Sequence, residues 1–250
     1  MKKAFTLIEL LVVIGIIAVL AGMLMPVVSS AKKSAALAIS ARSLGQLMTA
    51  GRLYLNDNNN RFWAYSVPTS AGEQWWFGFE TWQSVGMPEG QRTCDYSKGP
   101  LGPYTITAGG IKTDPALSQY SPRLKPKYQN GNYGYGYNTM LATGSNGQPR
   151  NAMTVTQPSH MIVFATCAQI NTFEYPATPA NPMVEEFYMV NTTEQTAHFR
   201  HGDNALAAFL DGSVRSLSMT TDMQPGSQNM LIPSANIGIF NSSYLTQPGW

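Results

Sequence analysis

The chain has 250 residues, 44% of them apolar and 11% aromatic, enough for one domain of ordinary size with an appendage and too apolar for disorder throughout. Only 12% are charged, about half the share usual in soluble globular chains, while 22 Gly and 16 Pro require many turns. The net charge of +2 is accounted for by Lys2 and Lys3, so the body beyond them is formally neutral and has no overall field to attract nucleic acid.

In chain order, the first predicted element is an apolar helix from Phe5 to Met25 with Glu9 as its one charge. At 1.5 Å per residue it is about 32 Å long, which matches the hydrocarbon core of a bilayer. Lys2 and Lys3 before it predict a cytoplasmic amino end. A secretory signal cut near Val28-Ser29-Ser30-Ala31 and a plain membrane anchor both share this pattern, and both leave Glu9 unexplained. An acid at membrane depth costs about 2.5–3.5 kcal/mol and marks a specific role.

Beyond Pro26 the helical pattern resumes through Asn56. Leu44, Leu47, Met48, Gly51 and Leu55 share one face, which should pack on a sheet, while Lys32, Lys33, Arg42 and Arg52 lie mainly away from it. Asp57-Asn58-Asn59-Asn60 stops the helix.

Residues 61–195 read as short strands and long loops, the clearest strand being Met161–Cys167. Trp75, Trp76, Phe77, Phe79 and Trp82, with Tyr133, Tyr135 and Tyr137, admit a carbohydrate-stacking surface, though core or interface packing is the commoner use of such rings. Glu185 and Glu186 are adjacent, so a strand would point them to opposite faces. Cys94 and Cys167 allow one disulfide in an oxidising compartment and are too few for a four-cysteine zinc site.

The best hairpin lies at 204–218, with Asp211-Gly212 between two alternating runs. A two-residue type I′ turn there would set Phe209 opposite Val214 and Leu206 opposite Leu217, and the Phe209/Val214 face should meet Leu44, Leu47 and Leu55. His198, His201 and Asp203 are close in sequence, but a strand entrance does not converge them as a metal site needs, and His201 is expected to hydrogen-bond backbone in the loop before the hairpin. None of the familiar hydrolase, zinc-protease, P-loop, EF-hand or dinucleotide motifs is present, so no catalytic residue is assigned and a hydrolase would need His201, Asp203 and a third acid to converge.

Lys2-Lys3-Ala4 followed by Phe5-Thr6-Leu7-Ile8-Glu9-Leu10 and an apolar run resembles the processing signal of type IV pilins and type II secretion pseudopilins. The resemblance implies cleavage by a prepilin peptidase between Ala4 and Phe5, N-methylation of Phe5, and retention of the helix; the family usually has Gly where this chain has Ala4. It implies that Glu9 pairs with a neighbouring subunit's amino terminus in a filament, and Pro26 stands where pilin helices commonly carry proline. Arg200 to Val214, with nine residues between His201 and Asp211-Gly212, is similar to a carboxy-terminal motif of pilin-like proteins abundant in planctomycete, verrucomicrobial and lentisphaeral bacteria. Leu44–Asn60, Leu101–Tyr104, Tyr135–Asn138 and Pro158–Ala165 are similar to further segments of those proteins.

The resemblance implies an α+β, pilin-like fold, a long helix on a small antiparallel sheet. Its parts would be a cytoplasmic leader at 1–4, a transmembrane or filament-core half-helix at 5–25, an amphipathic half at 26–56 and an extracytoplasmic globular domain at 57–250. The protein would wait in the inner membrane as a single-pass subunit, its domain periplasmic, and join a pseudopilus or type IV pilus-like filament. Its partners would be related subunits, the peptidase, the inner-membrane assembly platform and lipid, without nucleic acid. No cofactor is expected, although major pseudopilins bind calcium in a carboxy-terminal loop that maps to no residues here. A membrane-anchored or secreted carbohydrate-binding protein is the alternative.

Overall fold

The computed structural model describes residues 7–106, 114–120, 123–129, 134–144, 147–220 and 231–250. The leader, Phe5 and Tyr133 lie outside them. The expected α+β architecture, a long amino-terminal helix on small sheets, is the one observed.

Helix α1 runs over Leu7–Asp57 and continues through Pro26. Its side chains stay unburied until Ser40, from which Ser43, Leu44, Leu47, Met48, Ala50, Gly51 and Leu55 form the buried face. The amphipathic half expected from residue 26 thus contacts the body only over its last part, because Val27, Val28, Leu37 and Ile39 have no sheet beneath them. Asn60 N donates to Leu55 O at 2.8 Å while Asn59 and Asn60 take positive φ, a left-handed exit that asparagine tolerates well.

The main sheet has the order β12-β11-β6-β5-β9, built from β5 (Tyr135–Asn138), β6 (Ile162–Thr166), β9 (Met189–Val190), β11 (Asn204–Phe209) and β12 (Val214–Ser218). The sheet is mixed rather than antiparallel throughout, since β9 runs parallel to β5. Smaller sheets are the meander β1 (Ser66–Pro68), β2 (Gly72–Trp75) and β3 (Gly78–Thr81), the set β4 (Leu124–Lys125), β8 (Met183–Glu186) and β7 (Ala168–Asn171), and the pair β10 (Ala197–His198) with β13 (Ile237–Gly238).

One face of the main sheet and α1 enclose an aromatic core. Trp63 stacks on Tyr137 at 4.9 Å and on Phe164 at 5.6 Å between ring centroids. A Cβ on Gly51 would come within 2.9 Å of Trp63 Cη2, so the missing side chain lets the indole lie against the helix. The opposite face packs Ile162, Ala165, Ala207 and Phe209 on Phe199, Phe240 and Leu245.

The hairpin differs from expectation by one residue. Gly212 N donates to Phe209 O at 2.8 Å and Phe209 N donates to Ser213 O at 2.9 Å, so the loop is Leu210-Asp211-Gly212, with only Gly212 at positive φ, +90°. This is a three-residue loop with a left-handed glycine, not a type I′ turn. Ala208 therefore faces Val214 and Ala205 faces Leu217. A one-residue slip exchanges the faces of a strand, which is why Phe209 points away from α1 while Leu206, Ala208 and Val214 pack on its side.

Candidate functional site

Two regions carry the features that sequence singled out: the uncovered half of α1, and the seam where that helix meets the body. In the first, a stretch of 18 helix residues with mean hydropathy 2.8 has none of its side chains buried. Leu7, Ile8, Leu10, Leu11, Ile14 and Ile17 are each more than half exposed. Glu9 lies exposed in the first turn described, where a carboxylate complements the helix dipole. Pro26 removes one backbone donor, and its fixed φ is compatible with the helix, which carries on past it. By length and composition this helix is a candidate membrane anchor near the amino terminus.

At the seam, Asp114 is almost wholly buried and binds α1 to the body. The Ser40 hydroxyl donates to its Oδ1 at 2.7 Å and Ala116 N donates to the same oxygen at 2.9 Å. Arg200 donates through Nε and Nη2 to Oδ2 at 2.9 and 2.8 Å. Burial would raise the Asp114 carboxyl, but the Arg200 charge, with His201 and Ser40 beside it, holds it well below the usual carboxylate range. The rest of the guanidinium is also engaged, by Gly134 O at 2.6 Å, Cys167 O at 3.3 Å and His198 Nδ1 at 2.8 Å. His198 is held far below its ordinary value by burial and by that cation, so its Nδ1 accepts as a neutral ring.

The His201 side chain does not bond the loop backbone as expected. It turns to Asp114, Nε2 lying 3.5 Å from Oδ2, and the backbone of His201 makes the loop bond, N to Asn204 O at 2.9 Å. Asp203, at φ 63°, instead accepts from Asn236 Nδ2 at 2.7 Å. Among the described residues no three His, Cys, Asp or Glu side chains form a group able to hold a metal ion. Asp114 was missed in the sequence, although Asp-Pro is a turn signal and its side chain does bond two residues on.

Asp211 accepts from Ser213 N at 2.9 Å and from the Ser213 hydroxyl at 2.7 Å. Its carboxyl is lowered: partial burial opposes this, but the Ser213 bonds and the charges of Arg215 and Arg52 prevail. Arg52, expected to point away, reaches from α1 to Leu210 O at 3.2 Å and closes the loop onto the helix.

Cys94 and Cys167 are both buried thiols in separate core clusters, not joined in the disulfide the sequence allowed. Burial pushes the Cys167 thiol up to about 12. Trp76, Phe77, Tyr135 and Tyr137 are likewise core residues, Trp75 and Phe79 are half-buried, and Trp82 is the well-exposed ring of the stacking set. Glu185 and Glu186 are both buried in β8: Glu185 accepts from Asn171 Nδ2 at 2.6 Å with Lys127 nearby, while Glu186 accepts from Lys127 N at 3.1 Å.

Residues 1–25 match the family described as the prokaryotic N-terminal methylation motif. No curated protein and no solved structure matches the chain.

Proposed function

We propose that the chain is a structural subunit of a filament assembled from the inner membrane, a type II secretion pseudopilus or type IV pilus-like fibre, and not an enzyme. The observation that carries this reading is one continuous feature: a methylation motif at residues 1–25 that runs into an uncovered apolar helix with a lone acid at Glu9. An isolated subunit gains nothing from Glu9 in lipid, whereas a helix bundle supplies the cationic partner that makes a desolvated carboxylate tolerable. In this reading a prepilin peptidase cuts between Ala4 and Phe5, Phe5 is N-methylated, and Glu9 pairs with the amino terminus of the next subunit. The neutral remainder of the chain and the structural use of His201, Asp211 and Gly212 fit a packing role, and the core position of most aromatic rings withdraws support from sugar binding. Mass spectrometry of the mature protein tests the reading: the expected amino terminus is N-methylated Phe5 followed by the intact helix. A terminus near Lys32 would establish an ordinary signal peptide instead.

A further inference from the structure

Between α1 and the body lies an open cavity of about 1080 Å³ whose helix wall carries Lys32 and Lys33 and whose opposite wall carries Arg123. All three are exposed, and among the described residues none has a carboxylate within salt-bridge distance. Of the other charged groups on the cavity, Arg200 is paired with Asp114, while Asp203 accepts a hydrogen bond from Asn236 and keeps its negative charge. What remains is a net cationic mouth, the three basic side chains standing against the one carboxylate of Asp203. Arg123 is held in place by its backbone, whose carbonyl accepts from Val184 N at 2.8 Å beside the β4–β8 pair.

The position of this mouth along α1 selects its ligand. Lys32 stands about 10 Å beyond Met25 at 1.5 Å per residue, and the headgroup layer adds about 5–8 Å to each side of the hydrocarbon core. Long lysine stems reach back over that gap while keeping their charge in the polar layer. We propose that this cavity takes the phosphate headgroup of an anionic phospholipid, with Lys32, Lys33 and Arg123 holding the phosphate. Before assembly the site orients the body on the membrane surface. The inference rests on the membrane-anchored reading.

The test uses the full chain in detergent micelles and native mass spectrometry with phosphatidylglycerol or phosphatidylcholine. Preferential retention of phosphatidylglycerol is expected, reduced about tenfold or more in K32Q/K33Q/R123Q, since each basic group at an anionic surface contributes severalfold. It should be unchanged in K98Q, which removes an exposed lysine elsewhere. Equal retention of both lipids, or an unchanged triple variant that keeps its native circular dichroism, overturns the proposal. Complete displacement by excess inorganic phosphate assigns the cavity to a soluble anion and also overturns the lipid assignment; failure of phosphate to displace supports it. Carbonate extraction of cell membranes separates the two readings: a resistant chain without lipid preference sinks the cavity alone, and an extracted chain sinks the anchor with it.

Discussion

At the level of single residues, Glu9 and Asp114 are two carboxylates with opposite dependencies. Asp114 is satisfied within the chain by Arg200 and Ser40, so Asp114→Asn leaves a buried guanidinium without its counter-charge and should cost about 3 kcal/mol or more, read from denaturant unfolding. Its folded value is depressed, so its contribution is complete above the ordinary carboxylate range and fades as pH falls below about 4. Glu186 behaves in the reverse sense, because burial pushes its carboxyl up to about 7. The folded state then binds the proton more tightly, and stability should decline as pH rises from about 4.5 to 7, by about 3 kcal/mol at most. Glu186→Gln should flatten that decline and stabilise the protein at pH 8, and an unchanged melting profile across that range would contradict it. Glu9 lies on the uncovered half of α1, and its proposed role is a pair with the next subunit: Glu9→Val should insert into membranes at least as well as the parent and fail to enter filaments, measured by fractionation and a sheared-filament assay. Normal incorporation of that variant would remove the argument for an intersubunit pair.

Among the elements, the hairpin and the helix face show what a sequence can and cannot say. Asp211-Gly212 announced a turn, and a turn is there, but the dipeptide is compatible with two loop lengths that differ in which residue takes positive φ. The choice is made by tertiary contacts, in which Arg52 holds Leu210 O from the helix and Phe209 finds an aromatic pocket with Phe199, Phe240 and Tyr244 on the far face. The stripe at Leu44, Leu47, Met48, Gly51 and Leu55 was legible because period and burial coincide in an amphipathic helix. Asp114 was not, because its partners Ser40 and Arg200 are 74 and 86 residues away and no local spacing encodes them. Gly212→Val should destabilise by about 1 kcal/mol or more, since its φ of +90° strains a β-branched residue and its Cβ would lie 2.6 Å from Arg52 Nη1. Gly51→Ala should cost about 1–3 kcal/mol, because the rigid Trp63 ring must move aside. A Gly51→Ala melting curve coincident with the parent would show that the indole has room.

For the whole molecule, stability and function are divided along α1. No side chain from residue 7 to Ile39 is buried, and every contact with the core is made from Ser40 onward. Removing residues 1–28 should therefore leave the melting temperature of the body within about 2 °C while abolishing membrane retention and self-association. A large loss of stability on truncation would mean that the uncovered half-helix supports the fold.

Two of the polar fastenings of α1 to the body also fix how the molecule bears load. The Ser40–Asp114 bond and the Arg52–Leu210 bond grip the rod at points about 18 Å apart along its axis, with the Leu44, Leu47 and Met48 contacts between them. A pull on the amino end runs parallel to that seam, so grips and contacts are stretched together in shear. A pull at right angles would open the seam from Ser40 one contact at a time, like a zip. The same helix should thus withstand a much higher rupture force in single-molecule stretching when drawn along its axis than when peeled sideways from its carboxy-terminal body, which is the property a subunit needs if tension passes through it.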